Sequence, residues 1–330
     1  MHSNQLPWIA PHWNNLQSQV AADRLPHAML WISPDGLGAK EFALFYLQWL
    51  MCSEPGSEGA CGHCNHCNLF MAGTHPDFHH LTLLDKSKDI KIEQIRDLIS
   101  KLVERPYQGG KRLVLVEPAD RLNRSAANAF LKTLEEPGDD TFILLLTSRP
   151  EALGATIRSR CQAIHIQAPD EQQAFDYVQD KLPDDPAIAR QAIKYAQNQP
   201  LTAVEMIESG SLQQRSDFIS YLAASASGHL DPVALAGQYK QPAQVAEICD
   251  WLFSMMSDAE RHASGLVDDH PEAPDYVSLV DTVAAKSPER RKIWLDKLTE
   301  CKRTMIKGTN VNPTLTMESL MTGWIAFLAD

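Results

Sequence analysis

The sequence predicts an α/β domain with a parallel sheet, followed by helical units, and three observations carry that expectation. Short apolar runs rich in Val, Ile, Leu and Phe at 27–33, 78–84, 111–116 and 141–147 alternate with helix-period patterns, as in a sheet covered by helices on both faces. Strand signals stop after 163–167. From there the periodicity is helical to the end.

The length of 330 residues fits two or three domains, and 44% hydrophobic residues are enough for each to close a core. The strongest apolar stretch, 42–51, is about half of what a membrane span needs and contains Gln48. The first fifteen residues carry no basic region followed by an apolar run, so no secretory signal is expected and the expected location is cytoplasmic. Thirty Lys and Arg against 42 Asp and Glu give a net charge of −12. That charge argues against a whole-surface grip on nucleic acid, which needs clustered cations to release counterions.

The first strand, 27–33, runs into Ser33-Pro34-Asp35-Gly36-Leu37-Gly38-Ala39-Lys40 and then a helix. Strand, glycine turn and helix is the context in which backbone N–H groups cradle phosphates. A working P-loop has Gly, four residues, Gly, Lys and Ser or Thr, whereas these places hold Ser33, Gly38, Ala39 and Lys40. Alanine replaces the phosphate-neutralising lysine, and lysine replaces the Mg²⁺-holding hydroxyl. A one-residue slip would let Lys40 reach phosphate but leaves Glu41 where the hydroxyl belongs. An ordinary glycine turn explains the same residues.

Cys52, Cys61, Cys64 and Cys67 follow as C-x₈-C-x₂-C-x₂-C, with Gly56, Gly59 and Gly62 supplying tight turns. Four thiolates complete a tetrahedral Cys₄ zinc site with no open position, hence a structural one. The C-x₂-C-x₂-C run also suits an iron–sulfur cluster, although no Cys-Pro follows Cys67. His63 and His66 lie inside the segment as substitute ligands or solvent-facing residues. Cys161, Cys249 and Cys301 stand singly, the last two in amphipathic helices where they read as small core residues.

The helix expected at 91–104 has Ile92, Ile95, Leu98, Ile99, Leu102 and Val103 on one face, and Arg105-Pro106 ends it. The strand 111–116 runs into Glu117-Pro118-Ala119-Asp120. Proline stands where ATPases place the glutamate that activates water, so this second nucleotide element is damaged too. A helix over 125–136 buries Ala127, Phe130, Leu131 and Leu134 and stops at Pro137-Gly138. After the strand 141–147, Arg149, Arg158 and Arg160 are candidates to reach a neighbouring subunit's phosphate, or else surface ion-pair residues. Further helices are expected at 244–262, 288–307 and 314–328, with domain divisions near 167 and 209.

Together, Arg24-Leu25-Pro26-His27-Ala28, the degenerate P-loop, the four cysteines, Ala126-Ala127-Asn128-Ala129-Phe130-Leu131-Lys132-Thr133-Leu134-Glu135-Glu136-Pro137 and Ser159-Arg160-Cys161 resemble the delta-prime subunits of bacterial DNA polymerase III clamp loaders, an AAA+ family. Asn312-Pro313-Thr314-Leu315 is similar to that family's C-terminal pattern. The resemblance implies an AAA+ P-loop NTPase-type domain at 1–167, a small helical lid at 168–209 and a helical collar domain at 210–330.

It implies structural Zn²⁺ on Cys52, Cys61, Cys64 and Cys67, and Arg160 acting in trans in the ATP site of an adjacent gamma or tau subunit. Gly36, Gly38, Ala39 and Lys40 would form a non-functional loop, with no ATP hydrolysed by this chain. Thr202 falls where ATPase relatives carry a nucleotide-sensing lid arginine. The implied partners are delta and gamma or tau, with the sliding clamp and primed DNA reached through the complex, no membrane, and a nucleoid association through the replisome. Two other readings remain: an ATP-hydrolysing gamma or tau-type subunit, which needs the missing lysine and acids, and a zinc-bearing helical adaptor unrelated to replication.

Overall fold

The computed structural model describes residues 6–84, 87–103, 105–106, 110–182, 185–225, 231–265, 277–307 and 312–329. The chain forms two compact units, Met1–Val204 and Glu205–Asp330. The helical stretch at 168–209 therefore groups mostly with the sheet.

In chain order the first unit contains α1 (Ala10–Ala21), β1 (Ala28–Ile32), α2 (Ala39–Met51), α3 (Asn65–Met71), β2 (Phe78–Leu81), α4 (Ile92–Leu102) and β3 (Arg112–Val116). It continues through α5 (Arg124–Glu135), β4 (Thr141–Thr147), α6 (Ala155–Arg158), β5 (Gln162–His165), α7 (Glu171–Lys181), α8 (Pro186–Tyr195) and α9 (Pro200–Glu208), which runs across the division.

The five strands are ordered β2-β3-β4-β1-β5 and every pairing is parallel. This is the AAA+ P-loop architecture, with β1 next to β4 and its loop opening at the strands' C-terminal ends. Because helices cover both faces, the central strands read as continuous apolar runs. On one face Ala28, Leu30, Val114, Val116, Ile143 and Leu145 pack with Ile95 and Leu98 of α4 and Phe130 and Leu134 of α5. On the other, Trp31 stacks on Phe42 of α2 at 4.8 Å.

Helix starts follow local chemistry: Asn123 accepts from the Ala126 N–H at 2.8 Å and Asp170 from the Gln173 N–H at 2.8 Å, each satisfying a donor that the helix leaves free. The observed α4 stops at Leu102, and Glu104, the end expected from periodicity, lies outside the described residues. β2 is shorter than the expected 78–84. Its ladder ends where Leu81 meets Val116, closed by the Glu117 N–H donating to the Leu81 carbonyl at 2.9 Å.

The second unit contains α10 (Ser211–Ser225), α11 (Pro232–Ala236), α12 (Pro242–Ala263), α13 (Val277–Ala284), α14 (Pro288–Lys307) and α15 (Pro313–Leu328). Its core is built on Phe218, Ile248, Leu252, Met255, Val280 and Leu298 and on a Trp294–Trp324–Phe327 cluster. Among the described residues no helix is long and apolar enough to cross a membrane.

Candidate functional site: a covered loop, a four-cysteine cluster and an edge arginine

The loop between β1 and α2 has the backbone of a phosphate loop. Gly36 and Gly38 adopt φ of 73° and 75°, left-handed values that favour glycine, and Gly38 caps α2. Residues from both ends of the unit pack against the loop. The Trp8 indole N–H donates to the Leu37 carbonyl at 2.9 Å, and the Leu201 N–H donates to the Gly36 carbonyl at 3.2 Å. A Cβ on Gly36 would meet Thr202 Oγ1 at 2.0 Å, and one on Gly38 would meet Leu6 Cδ1 at 2.6 Å. Trp8 also packs edge-on against Tyr177 of α7 at 5.2 Å, tying α7 to the loop. The cleft that remains measures about 230 Å³, below the roughly 300–1,000 Å³ of small-molecule sites.

The charged groups near the loop are likewise engaged. Lys40 Nζ lies 3.0 Å from Glu117 Oε2, and His80 Nε2 lies 3.2 Å from the same oxygen. Lys40, the one cation that a register slip could offer to phosphate, is therefore directed to Glu117. Asp120, at 2% side-chain exposure, accepts from the Thr147 hydroxyl at 2.9 Å and pairs with the Arg149 guanidinium. Neither acid is left as a free metal ligand.

The hydrogen bond from His80, and the Lys40 ammonium, hold the Glu117 carboxyl below the usual carboxylate range, against the opposing effect of burial. A depressed folded pKa contributes stability above the unfolded value near 4.3 and loses it as pH falls through the folded value. Lys40 is half exposed, so solvent screens part of the pair. Glu117→Gln should cost about 0.5–1 kcal/mol in urea unfolding at pH 7, and the difference from the parent chain should shrink as pH falls through the depressed folded value. A cost that stays constant as the pH is lowered until the fold is lost would show that charge is not its origin.

The cysteines form a second site. Cys52 caps the C-terminus of α2 and Cys64 the N-terminus of α3, so two helix ends and the loop between them deliver the ligands. Sγ of Cys52 and Cys64 lie 4.0 Å apart, as do those of Cys61 and Cys67, and all four lie within 4.8 Å of one another. A tetrahedral ion with metal–sulfur bonds of about 2.3 Å has sulfur–sulfur edges of about 3.8 Å. The cluster is sized for one ion.

Backbone N–H groups of Glu54 and Cys61 point at the Cys52 sulfur, that of Cys64 at Cys61, and that of Cys67 at Cys64, at 3.2–3.4 Å. Burial opposes ionisation of Cys64, yet the Ser53 and Cys67 N–H groups bring its thiol down to about 6. Burial and the neighbouring thiols push Cys67 up. The intervening loop is pinned from outside: Trp49 Nε1 donates to the Gly56 carbonyl at 2.8 Å, and Trp13 Nε1 donates to that of Ser57 at 3.1 Å. His66 is turned away from the sulfurs onto His75, Nδ1 to Nε2 at 2.8 Å, and His63 groups with Glu54 and Cys61 on the exposed side.

Arg160 follows α6 and precedes β5. Its Nη1 donates to the Thr156 carbonyl at 2.8 Å, and its Nη2 lies 2.5 Å from Glu135 Oε1 at the end of α5. The side chains are 33% and 48% exposed, so the pair is a solvent-screened one. Arg158 ends α6, and Arg149 is held by Asp120. Burial pushes the adjacent Cys161 thiol up to about 11, an inert group at neutral pH.

Residues 10–170 match the family described as DNA polymerase III, delta subunit, and residues 209–326 match its C-terminal domain. The sequence is 30% identical to DNA polymerase III subunit delta' of Pseudomonas aeruginosa over 96% of both chains. This chain belongs to the DNA polymerase III delta-prime family. Subunit delta' of Yersinia pestis is 32% identical over 97% of this chain and 95% of that one. Among solved structures, a DNA polymerase III gamma subunit-related protein of Thermotoga maritima aligns over 95% of this chain and 99% of its own at 18% identity, with a TM-score of 0.46.

Membership gives the covered loop a context. Leu6, Trp8, Leu201 and Thr202 form the cover, and sequence reading singled out only Thr202, for a different reason. An apolar Leu6-Pro7-Trp8-Ile9 just ahead of α1 was the available signal. The partnering of Glu117 with His80, and of Asp120 with Arg149, left no signal at all, because parallel strand pairing brings these residues together.

Proposed function

We propose that this chain is the non-hydrolysing subunit of a DNA polymerase III clamp loader, helping to place the sliding clamp on primed DNA in a complex with delta and gamma or tau subunits. The observation that carries the non-hydrolysing reading is the loop: Ala39 stands where the catalytic lysine belongs, Lys40 is held by Glu117, and Leu6, Trp8 and Thr202 pack against the backbone of Gly36, Leu37 and Gly38. Full-length similarity to delta' relatives supports the complex.

In this reading residues 168–209 act as a lid fixed to the loop without nucleotide, and residues 210–330 act as the collar domain. Arg160 is offered to the ATP bound by the adjacent gamma or tau subunit, where a guanidinium stabilises charge on the transferring phosphoryl group. Its exchange from Glu135 to phosphate gives up only a screened ion pair, worth about 0–1 kcal/mol. The four cysteines hold one structural Zn²⁺. Their all-thiolate set suits zinc, and sulfurs within 4.8 Å of one another enclose a single ion and leave no room for a cluster. The net charge of −12 assigns the main hold on DNA to partners.

The test is reconstitution with delta, gamma or tau and the sliding clamp. The expected result is one stable complex that loads clamps only when this chain is present, together with no Mg²⁺-ATP binding by the isolated chain at millimolar nucleotide. Tight ATP binding would restore the gamma or tau-type reading, and failure to enter the complex would favour the unrelated adaptor.

A further inference from the structure

Cys249 of α12 and Cys301 of α14 lie with their sulfurs 3.4 Å apart, 0% and 7% exposed. The two helices run antiparallel in a fixed register. Asp250 pairs with Lys302 one residue along from the cysteines, and Glu260 pairs with Arg291 at 2.6 Å further along the same contact. The small cysteine side chains allow close approach at this point.

The two sulfurs differ in chemistry. The Cys249 thiol donates to the Cys301 sulfur. Accepting that hydrogen bond lowers the Cys301 pKa, against burial and with help from Lys297. The same bond and burial raise that of Cys249. Cys301 also lines a cleft of about 570 Å³ between α14 and α15, together with Lys297, Glu300 and Leu315. A small oxidant entering there meets Cys301 first, with a second thiol directly behind it. Thiolate character, access and an adjacent resolving thiol are what an oxidisable cysteine needs.

We propose that Cys249 and Cys301 are an oxidisable pair that a peroxide converts to a disulfide linking α12 to α14. The Cys301 thiolate attacks one oxygen of hydrogen peroxide and becomes a sulfenic acid, and the hydroxide released takes up the proton that the thiol gave up. The Cys249 sulfur then attacks the Cys301 sulfur, and its proton leaves with the hydroxyl group as water. Two thiols and one peroxide give one disulfide and two waters. The sulfurs at 3.4 Å need to approach by only about 1.4 Å to reach the disulfide bond length of about 2.05 Å. The bridge joins residues 52 apart, which restricts the unfolded chain far more than the folded one.

The test is stepwise hydrogen peroxide on the whole chain, followed by alkylation of free thiols, digestion and mass spectrometry. The expected product joins the Cys249 and Cys301 peptides with the loss of two hydrogens, and the unfolding midpoint of the oxidised chain rises by about 5–10 °C. Cys249→Ser should stop at a Cys301 sulfenic acid that dimedone traps. Cys301→Ser should leave Cys249 unmodified at the same dose. Alkylation of both as free thiols at every dose up to the one that unfolds the chain would overturn the proposal, as would their appearance only in cross-links to other cysteines. The mapping on the unmodified sequence decides the matter even where a variant fails to fold.

Discussion

On the proposed trans role, replacing Arg160 by alanine should leave the clamp loader assembled while the neighbouring ATP site slows by about 10³-fold or more in single-turnover hydrolysis. The size follows from the chemistry. An arginine supplied from a neighbour matters little to ground-state binding, because its charge acts mainly on the oxygens of the transferring phosphoryl group. The loss should therefore fall on the rate, with nucleotide affinity nearly unchanged.

Arg160→Lys keeps the charge but not the planar fork, and it should recover only a small part of the rate. Glu135→Ala separates this role from an intramolecular one. If Arg160 served only to bind Glu135, removing Glu135 would reproduce the defect; if it serves a phosphate, removing its resting partner should leave turnover intact or raise it. DNA-stimulated ATP turnover of the reconstituted complex reads all three variants. Unchanged turnover in Arg160→Ala would sink the assignment.

What the sequence reveals about this molecule depends on how local each feature is. Thr141–Thr147 and Pro288–Lys307 have the bounds that their patterns predict, since an apolar run buried on both faces and a capped amphipathic helix are set by near neighbours. The four cysteines are readable for the same reason: sixteen residues contain the whole ligand set. Leu84 carries the same apolar signal as the rest of its run yet lies outside β2, because the length of a strand depends on a partner thirty or so residues away.

The cover over the loop is the extreme case. Leu6 and Trp8 come from one end of the unit and Leu201 and Thr202 from the other, and the parallel sheet with its packed helices brings them to one place. The altered P-loop pattern shows which of the usual residues are missing. It does not say that Leu6, Trp8 and Thr202 pack against the loop, nor that Lys40 turns to a carboxylate held by a histidine from the next strand.

On the proposed zinc site, Cys67→Ser should abolish metal binding and with it about 3–5 kcal/mol of stability from the first unit, a cost set by the metal rather than by the side chain. Cys67 is 1% exposed and sits on α3, one turn after Cys64. Losing its thiolate opens the fourth position of the site and leaves the other sulfurs crowded without a cation between them. Sheet and helices keep their own core, so the damage should stay local: residues 53–63 should become open to proteolysis while the strands persist.

Elemental analysis of the parent chain should give zinc near one per chain, with no iron and no brown colour. Linkage separates the metal from packing. Anything that binds only the folded state stabilises it by an amount that grows with the logarithm of its free concentration. The parent chain's midpoint should therefore climb with buffered free zinc, while that of Cys67→Ser stays flat. A flat response in both chains, or iron and sulfide in stoichiometric amounts, would reject a zinc site. A parallel climb in both would show that three thiolates suffice and that Cys67 is packing alone.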